Sequence, residues 1–232
     1  FVAGMEVMTR VGLATHHTSE TKGFHAPGLT GTIGATAVAG NILGLDAVRM
    51  ANALGIAGSL CSGLMEFSKS GNGAMVKRLH IGRAAENGVL AATLASNGFE
   101  GPNTVLEGEF GYMNAYAIEP ALDEISKDLG EVWHTTSIGY KRCALHGGAQ
   151  APVQALEEIL EEHEFLPEEI EAVTYFTSAK ICRNHNIQEP TDLVGIQFGV
   201  PFAIALSAYR DATDPFQVYK TDPFDKKILS LS

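Results

Sequence analysis

The stretch TGTIGATAVAGNIL, residues 30–43, decides the reading of this chain. Nearly every residue in it is small or apolar, with Gly31, Gly34 and Gly40 interleaved. Glycine costs ~1 kcal/mol against alanine inside a helix, so intrinsic propensity does not hold such a run helical by itself. Small residues at helical spacing let neighbouring helices approach closely, and that packing supplies what propensity lacks. There is little of the β-branched alternation that marks a half-buried strand. The run is read as a buried helix gripped by its neighbours.

Working outward, Asp46 stands where an N-cap belongs, ahead of Ala47 to Ser59 with Val48, Ala51, Leu54 and Ala57 at helical spacing. A further helix is expected from about Arg83 to Ser96, stopped by Asn97 and Gly98. Thr104 to Glu107 reads as a short helical turn, and the opening residues Phe1 to Val7 read as the middle of a helix. Residues 1–136 are therefore taken as a helical domain. The rest, 137–232, has another texture: His134 to Tyr140 reads as extended and Gln150 to His163 as an amphipathic helix with an acidic outer face. Ile170 to Thr177 carries the β-branched and aromatic residues of a strand, and Thr191 to Tyr209 reads as a buried helix kinked or divided at Pro201. Helix, strand and helix in that order suggest a partial α+β domain after an all-helical one, in a mainly α protein. With Phe1 in place of an initiator Met and an end inside the amphipathic run from Lys226, the chain is expected to be an internal piece of a longer one.

The formal net charge is −11 and the pI is near 5.1, which argues against a nucleic-acid partner, where basic stripes must neutralise phosphates. Eight glutamates fall between Glu157 and Glu171. An anionic substrate would thus be drawn by a local basic pocket rather than by the field of the whole molecule. Cys61, Cys143 and Cys182 lie far apart with no CxxC pair, so neither a disulfide framework nor a zinc site is indicated. No apolar run approaches the ~20 residues that span a bilayer, and no signal peptide opens the chain; a cytoplasmic location is expected.

Three segments concentrate chemistry. Lys77, Arg78, His80 and Arg83 crowd together after Gly71 and Gly73 and before an expected helix start, where cations oppose the macrodipole unless an anion satisfies both. A solvated basic loop explains the same residues. The second segment is Tyr140-Lys141-Arg142-Cys143-Ala144-Leu145-His146, again ahead of a helix; Lys141 and His146 suit carboxylate clamping and proton transfer, while a surface loop with an inward histidine fits as well. Cys143 is better read as a buried small hydrophobe than as a nucleophile. The third places His25 between Phe24 and Pro27 at the head of the glycine-rich helix, an acid/base position or a structural one. Neither Gly71 to Lys77 nor the glycines at 28, 31 and 34 match a nucleotide-binding fingerprint. His16 and His17 are adjacent rather than four apart, a poor metal pair.

Taken together, GFHAPGLTGTIGATAVAGNILGLD, MVKRLHIGRAAENGVLAATLASNGFEGPNTVLEG and YKRCALHGGAQAPVQAL resemble the MmgE/PrpD family in order and spacing. The resemblance covers nearly the whole chain and weakens after about Cys182. It implies a helical larger domain and a smaller α+β lid with the active site in the cleft between them. Members include 2-methylcitrate dehydratase, cis-aconitate decarboxylase and iminodisuccinate epimerase; they form homodimers and use neither metal nor organic cofactor. By position, His25 matches an active-site histidine, Lys77 and Lys141 match active-site lysines, and His146 matches a histidine of the same pocket. His80 and Arg142 are added as substrate-binding neighbours. The family's N-terminal Asp and His segment has no counterpart here. A tyrosine of the decarboxylases has none either; Cys182 or Arg183 falls near its place.

The expected function is therefore that of a lyase on a small di- or tricarboxylic acid, dehydratase-like first, with decarboxylation or epimerisation as alternatives. The expected chemistry is proton transfer at a carbon next to a carboxylate, with His25 as acid/base and Lys77 and Lys141 as clamps. His146 would carry the proton or orient it. Expected partners are the carboxylate and a second copy of the chain, with no membrane. Two rivals stand beside this: a non-catalytic helical interaction module, and a nucleotide-binding enzyme using Gly71 to Lys77.

Overall fold

The structure, a computed structural model, describes residues 1–69 and 75–232. Gly71 and Gly73 lie outside the described residues. The chain forms two compact units, one comprising Phe1–Phe67 and Met75–Ile138, the other Gly139–Ser232 with Ser68 and Lys69.

In the first unit, helices α1 (Val2–Ala14), α2 (Ala26–Ile42), α3 (Ala47–Leu60) and α4 (Val76–Ser96) precede the short α5 (Tyr112–Tyr116). The glycine-rich run lies inside α2, which packs against α1, α3 and α4 at once. Leu29 and Ile33 are wholly buried, with Val11, Ala14, Ala53, Ala57, Ala91 and Ala95 around them. The buried hydroxyls of Thr32 and Thr36 donate to the carbonyls of Gly28 and Thr32 one turn back, so neither is stranded. Close approach is required at Gly88 of α4: a Cβ there would meet the Cβ of Ala35 and lie 2.7 Å from the backbone nitrogen of Thr36. Asp46 caps α3 as expected, its carboxylate accepting from Arg49 N–H at 2.8 Å.

Helix α4 starts at Val76 rather than near Arg83. Gly82 lowers local helix propensity but does not stop the helix: residues 76–81 are mostly exposed, and the good helix formers Lys77, Arg78 and Leu79 carry it seven residues further towards the N-terminus. A buried ion pair within α1, Arg10 Nε to Glu6 Oε1 at 2.8 Å, holds both side chains against the segment after α5. The Arg10 guanidinium donates to the carbonyls of Lys127 at 2.6 Å and Val132 at 2.7 Å. Glu6 accepts from the backbone N–H groups of His134 and Thr135 and from the Thr135 hydroxyl. This collection of donors winds His134–Ser137 into a 3₁₀ turn, where the sequence suggested an extended run.

The second unit contains α6 (Gln150–His163), α7 (Ala179–Asn184), α8 (Leu193–Phe198), α9 (Val200–Tyr209), α10 (Pro215–Tyr219) and α11 (Lys226–Leu231). Its core is α9, apolar all round, against Val153 and Leu156 of α6 and Ile228 of α11. The expected long helix over 191–209 is two helices meeting at Gly199, with Pro201 in the first turn of α9, where a missing N–H costs nothing. Residues 170–178 form no strand. Strand propensity expresses itself only beside a partner, and the one β pairing among the described residues is an isolated bridge between Phe24 and Leu64 in the first unit. The protein is mainly α. No described helix is long and apolar enough to cross a membrane.

Candidate functional site

His25 is the N-cap residue of α2. Its N–H donates to the Gly63 carbonyl at 2.9 Å, and Met65 N–H donates to the Gly23 carbonyl at 2.8 Å, so residues 23–25 are fastened along 63–65. Gly63 has φ +139, open to glycine and not to residues with a side chain. Space is equally restrictive, since a Cβ at Gly63 would lie 3.2 Å from His80 Nδ1 and 3.4 Å from His25 Cβ. The loop is thus shaped to let two imidazoles meet. Their Nδ1 atoms are 3.1 Å apart, and the ring of Phe67 stands edge-on to both.

His25 is buried, 5% exposed. Desolvation, then His80 and then Lys77 push its pKa down, against a smaller opposing pull from Glu20, leaving it at about 4. Burial also lowers His80. At neutral pH the His25 imidazole is therefore uncharged and able to accept a proton. Lys77 sits one turn before His80 on α4 and its charge acts on His25. His25, Lys77 and His80 are thus brought into one electrostatic group. The basic cluster occupies the first turns of α4 rather than a loop before it, and no acidic residue stands there to offset the helix dipole.

The other sequence-derived residues belong to the second unit. Lys141 is exposed. Arg142 pairs with Glu157 of α6 at 2.5 Å. Cys143 is buried in the core, where burial raises its thiol pKa, in keeping with a packing role. The loop ahead of α6 is held from both sides. The Gln150 amide donates to the carbonyls of Cys143, Leu145 and His146, while Gln197 Nε2 donates to Ala144 O and His146 N–H donates to Gln197 O. His146 Nδ1 accepts the Gly148 N–H at 3.1 Å, which places any proton of the neutral ring on Nε2. His185, which spacing alone does not single out, stacks on His146 at 3.7 Å between ring centroids. Phe198 closes against both rings. Thirty-nine positions separate the two histidines in the chain (185 − 146), so nothing in the sequence pattern could have paired them.

Among the described residues no group of three or more His, Cys, Asp or Glu is disposed to hold a metal ion.

A glycine-packed helical unit that carries the buried His25 against the half-buried His80, with Lys77 at the head of α4, defines a helical domain. The pattern of the MmgE/PrpD N-terminal domain matches residues 1–125, more than half of the chain, and the chain belongs to the MmgE/PrpD family. It is 34% identical over 166 residues to cis-aconitate decarboxylase of Aspergillus terreus, covering 68% of this chain and 33% of that protein. Identity is 32% over 166 residues to a cis-aconitate decarboxylase-like protein of Aspergillus oryzae, with 68% and 34% covered. With the cis-aconitate decarboxylase of Homo sapiens it is 31% over 177 residues, covering 72% and 35%. The matched stretch thus spans about a third of the length of these relatives.

Proposed function

We propose that this chain supplies active-site residues to a lyase acting on a small tricarboxylate of the cis-aconitate kind. The observation that carries the reading is the buried, uncharged His25 held against His80 within the field of Lys77. Three relatives that bear the name of a cis-aconitate decarboxylase, or of a protein like one, support decarboxylation ahead of the dehydratase reading that the sequence put first.

In such a reaction the bond from the substrate's methylene carbon to its carboxyl carbon breaks and carbon dioxide leaves. The electron pair forms a new terminal double bond, and the old double bond delivers its pair to the vinylic carbon, which takes up one proton. The product is a five-carbon dicarboxylate. Lys77 pairs with one of the remaining carboxylates, and Lys141 is a second candidate clamp. His25 supplies the proton: a bound anion raises the pKa of an imidazole beside it, so the uncharged resting ring becomes loaded as substrate arrives. His146, whose Nδ1 is engaged by Gly148, is the candidate that orients the substrate or relays the proton.

The test incubates the intact protein separately with cis-aconitate and with 2-methylcitrate. Carbon dioxide released in step with a five-carbon dicarboxylate is expected from the first. Water loss from 2-methylcitrate alone would restore the dehydratase reading. Turnover of neither acid, with no heat of binding, would sink both.

A further inference from the structure

We propose that His80 is the positioning residue for His25, the two rings sharing one proton between their Nδ1 atoms and so holding each other in opposite tautomers.

At 3.1 Å the two nitrogens are at hydrogen-bond distance. Two protonated Nδ1 atoms would clash proton against proton, and two bare ones would set lone pair against lone pair. One ring must donate and the other accept. The donor ring then carries a bare Nε2 and the accepting ring carries its proton on Nε2, so the pair presents one base and one acid. A proton taken up at the bare Nε2 turns the donor into an imidazolium that can pass its Nδ1 proton across. The second ring then releases a proton from its own Nε2. Each step moves one proton and conserves charge.

The surroundings are built for this contact. Gly63 leaves the room that any side chain would fill, and Phe67 packs edge-on to both rings. A Cβ at Gly28 would lie 3.4 Å from His80 Cβ, so α2 and α4 set the ring spacing through glycine. The charged and titratable groups acting on His25 are His80 and Lys77 from α4 and Glu20 from the preceding loop. Both rings positively charged at this distance, beside Lys77, is the least favourable state, so the pair holds at most one added proton near neutrality. Paired with His80, the buried His25 has its tautomer set by that contact.

The catalytic consequence rests on the proposed lyase reading; the shared proton does not. In the intact protein with ¹⁵N-labelled histidine, ring-nitrogen spectra should show one member of the pair protonated on Nδ1 and the other on Nε2. His80→Asn, whose amide can replace Nδ1, and His80→Leu assign the signals. Both rings protonated on Nε2, titrating independently, would overturn the proposal. In turnover assays His80→Leu should lower kcat by 10-fold or more with KM little changed and displace the pH profile, while His80→Asn should restore most of kcat. Opposite tautomers in a protein that turns over no carboxylate would uphold the pair and defeat the lyase reading. Equal losses for both variants, with an unmoved pH profile, would leave His80 a packing residue and overturn the positioning role.

Discussion

The imidazole of His185 lies nearly flat on that of His146, with the planes 23° apart. His185 is itself only 5% exposed, so its ring is part of the second unit's interior. Replacing it with alanine opens a cavity and frees His146 to rotate away from the Gly148 N–H. Truncating a buried ring costs about 3 kcal/mol, so His185→Ala should lower the melting temperature distinctly. His185→Phe, which keeps a flat ring, should lose less. A thermal unfolding scan of both variants checks the order; equal stability of His185→Ala and wild type would show that the stack carries no load.

Lys77 is expected to act on substrate rather than on the fold. Its side chain is half-buried at the start of α4, where a cation is disfavoured by the helix dipole. Lys77→Ala should therefore cut kcat/KM at least ~100-fold, the scale of losing one preorganised charge at a developing negative centre. The melting temperature should barely move. A large fall in melting temperature would instead assign the lysine to structure.

His25 gives the protein a pH signature. Its pKa drops from 6.5 to about 4 on folding, so between those values the unfolded chain binds more protons than the folded one. Stability from this source is complete above 6.5 and is lost as pH falls towards about 4. The wild-type melting temperature should decline across that window, and His25→Gln should flatten the decline. An unchanged slope in the variant would show that the titration resides elsewhere.

Much of this was legible in the sequence and some was not, for reasons that differ by residue. The glycine-rich helix could be read because its small residues serve close packing, and Gly88 against Thr36 is that reading in atomic form. Asp46 could be read because a cap is a local device. The start of α4 lies seven residues before Arg83, since one exposed glycine at 82 does not break a run whose neighbours Lys77, Arg78 and Leu79 favour a helix. Ile170 to Thr177 has the composition of a strand without the partner a strand requires. At the site, His25, Lys77 and His80 were visible as types in a motif, but the Nδ1 contact depends on the Gly63 loop, and His185 on a stacking that no spacing encodes.

A second acid-sensitive element lies at Glu6. Burial raises its pKa, but hydrogen bonds from Thr135, His134 and Arg10 outweigh that and hold it at about 2, against 4.5 when unfolded. Its contribution is present above 4.5 and is lost as pH falls towards about 2, below the window of His25. Glu6→Gln leaves the Arg10 guanidinium without its carboxylate and should cost about 3–5 kcal/mol, the usual penalty for breaking a buried pair from one side. Proteolysis should then cut the 119–138 segment first, since Arg10 and Glu6 make most of its hydrogen bonds to α1, beside Ala121 N–H to the Ala14 carbonyl. Protection equal to wild type in that segment would contradict the assignment.

Two glycines of the same helix should respond in opposite directions. A Cβ at Gly82 has nothing within 4 Å, so Gly82→Ala meets no obstacle and gains helix propensity, up to ~1 kcal/mol of stability. At Gly88 the same substitution gains that propensity but drives a methyl into the Ala35 and Thr36 backbone of α2, which cannot turn aside as a flexible side chain would. Overpacking costs about 1–3 kcal/mol and more where backbone must shift, so the net effect of Gly88→Ala is destabilising. Denaturation midpoints for the two variants, measured side by side, should fall on either side of wild type. If Gly88→Ala is neutral or stabilising, α2 and α4 do not meet as closely as described, and the packing that positions His25 against His80 loses its foundation.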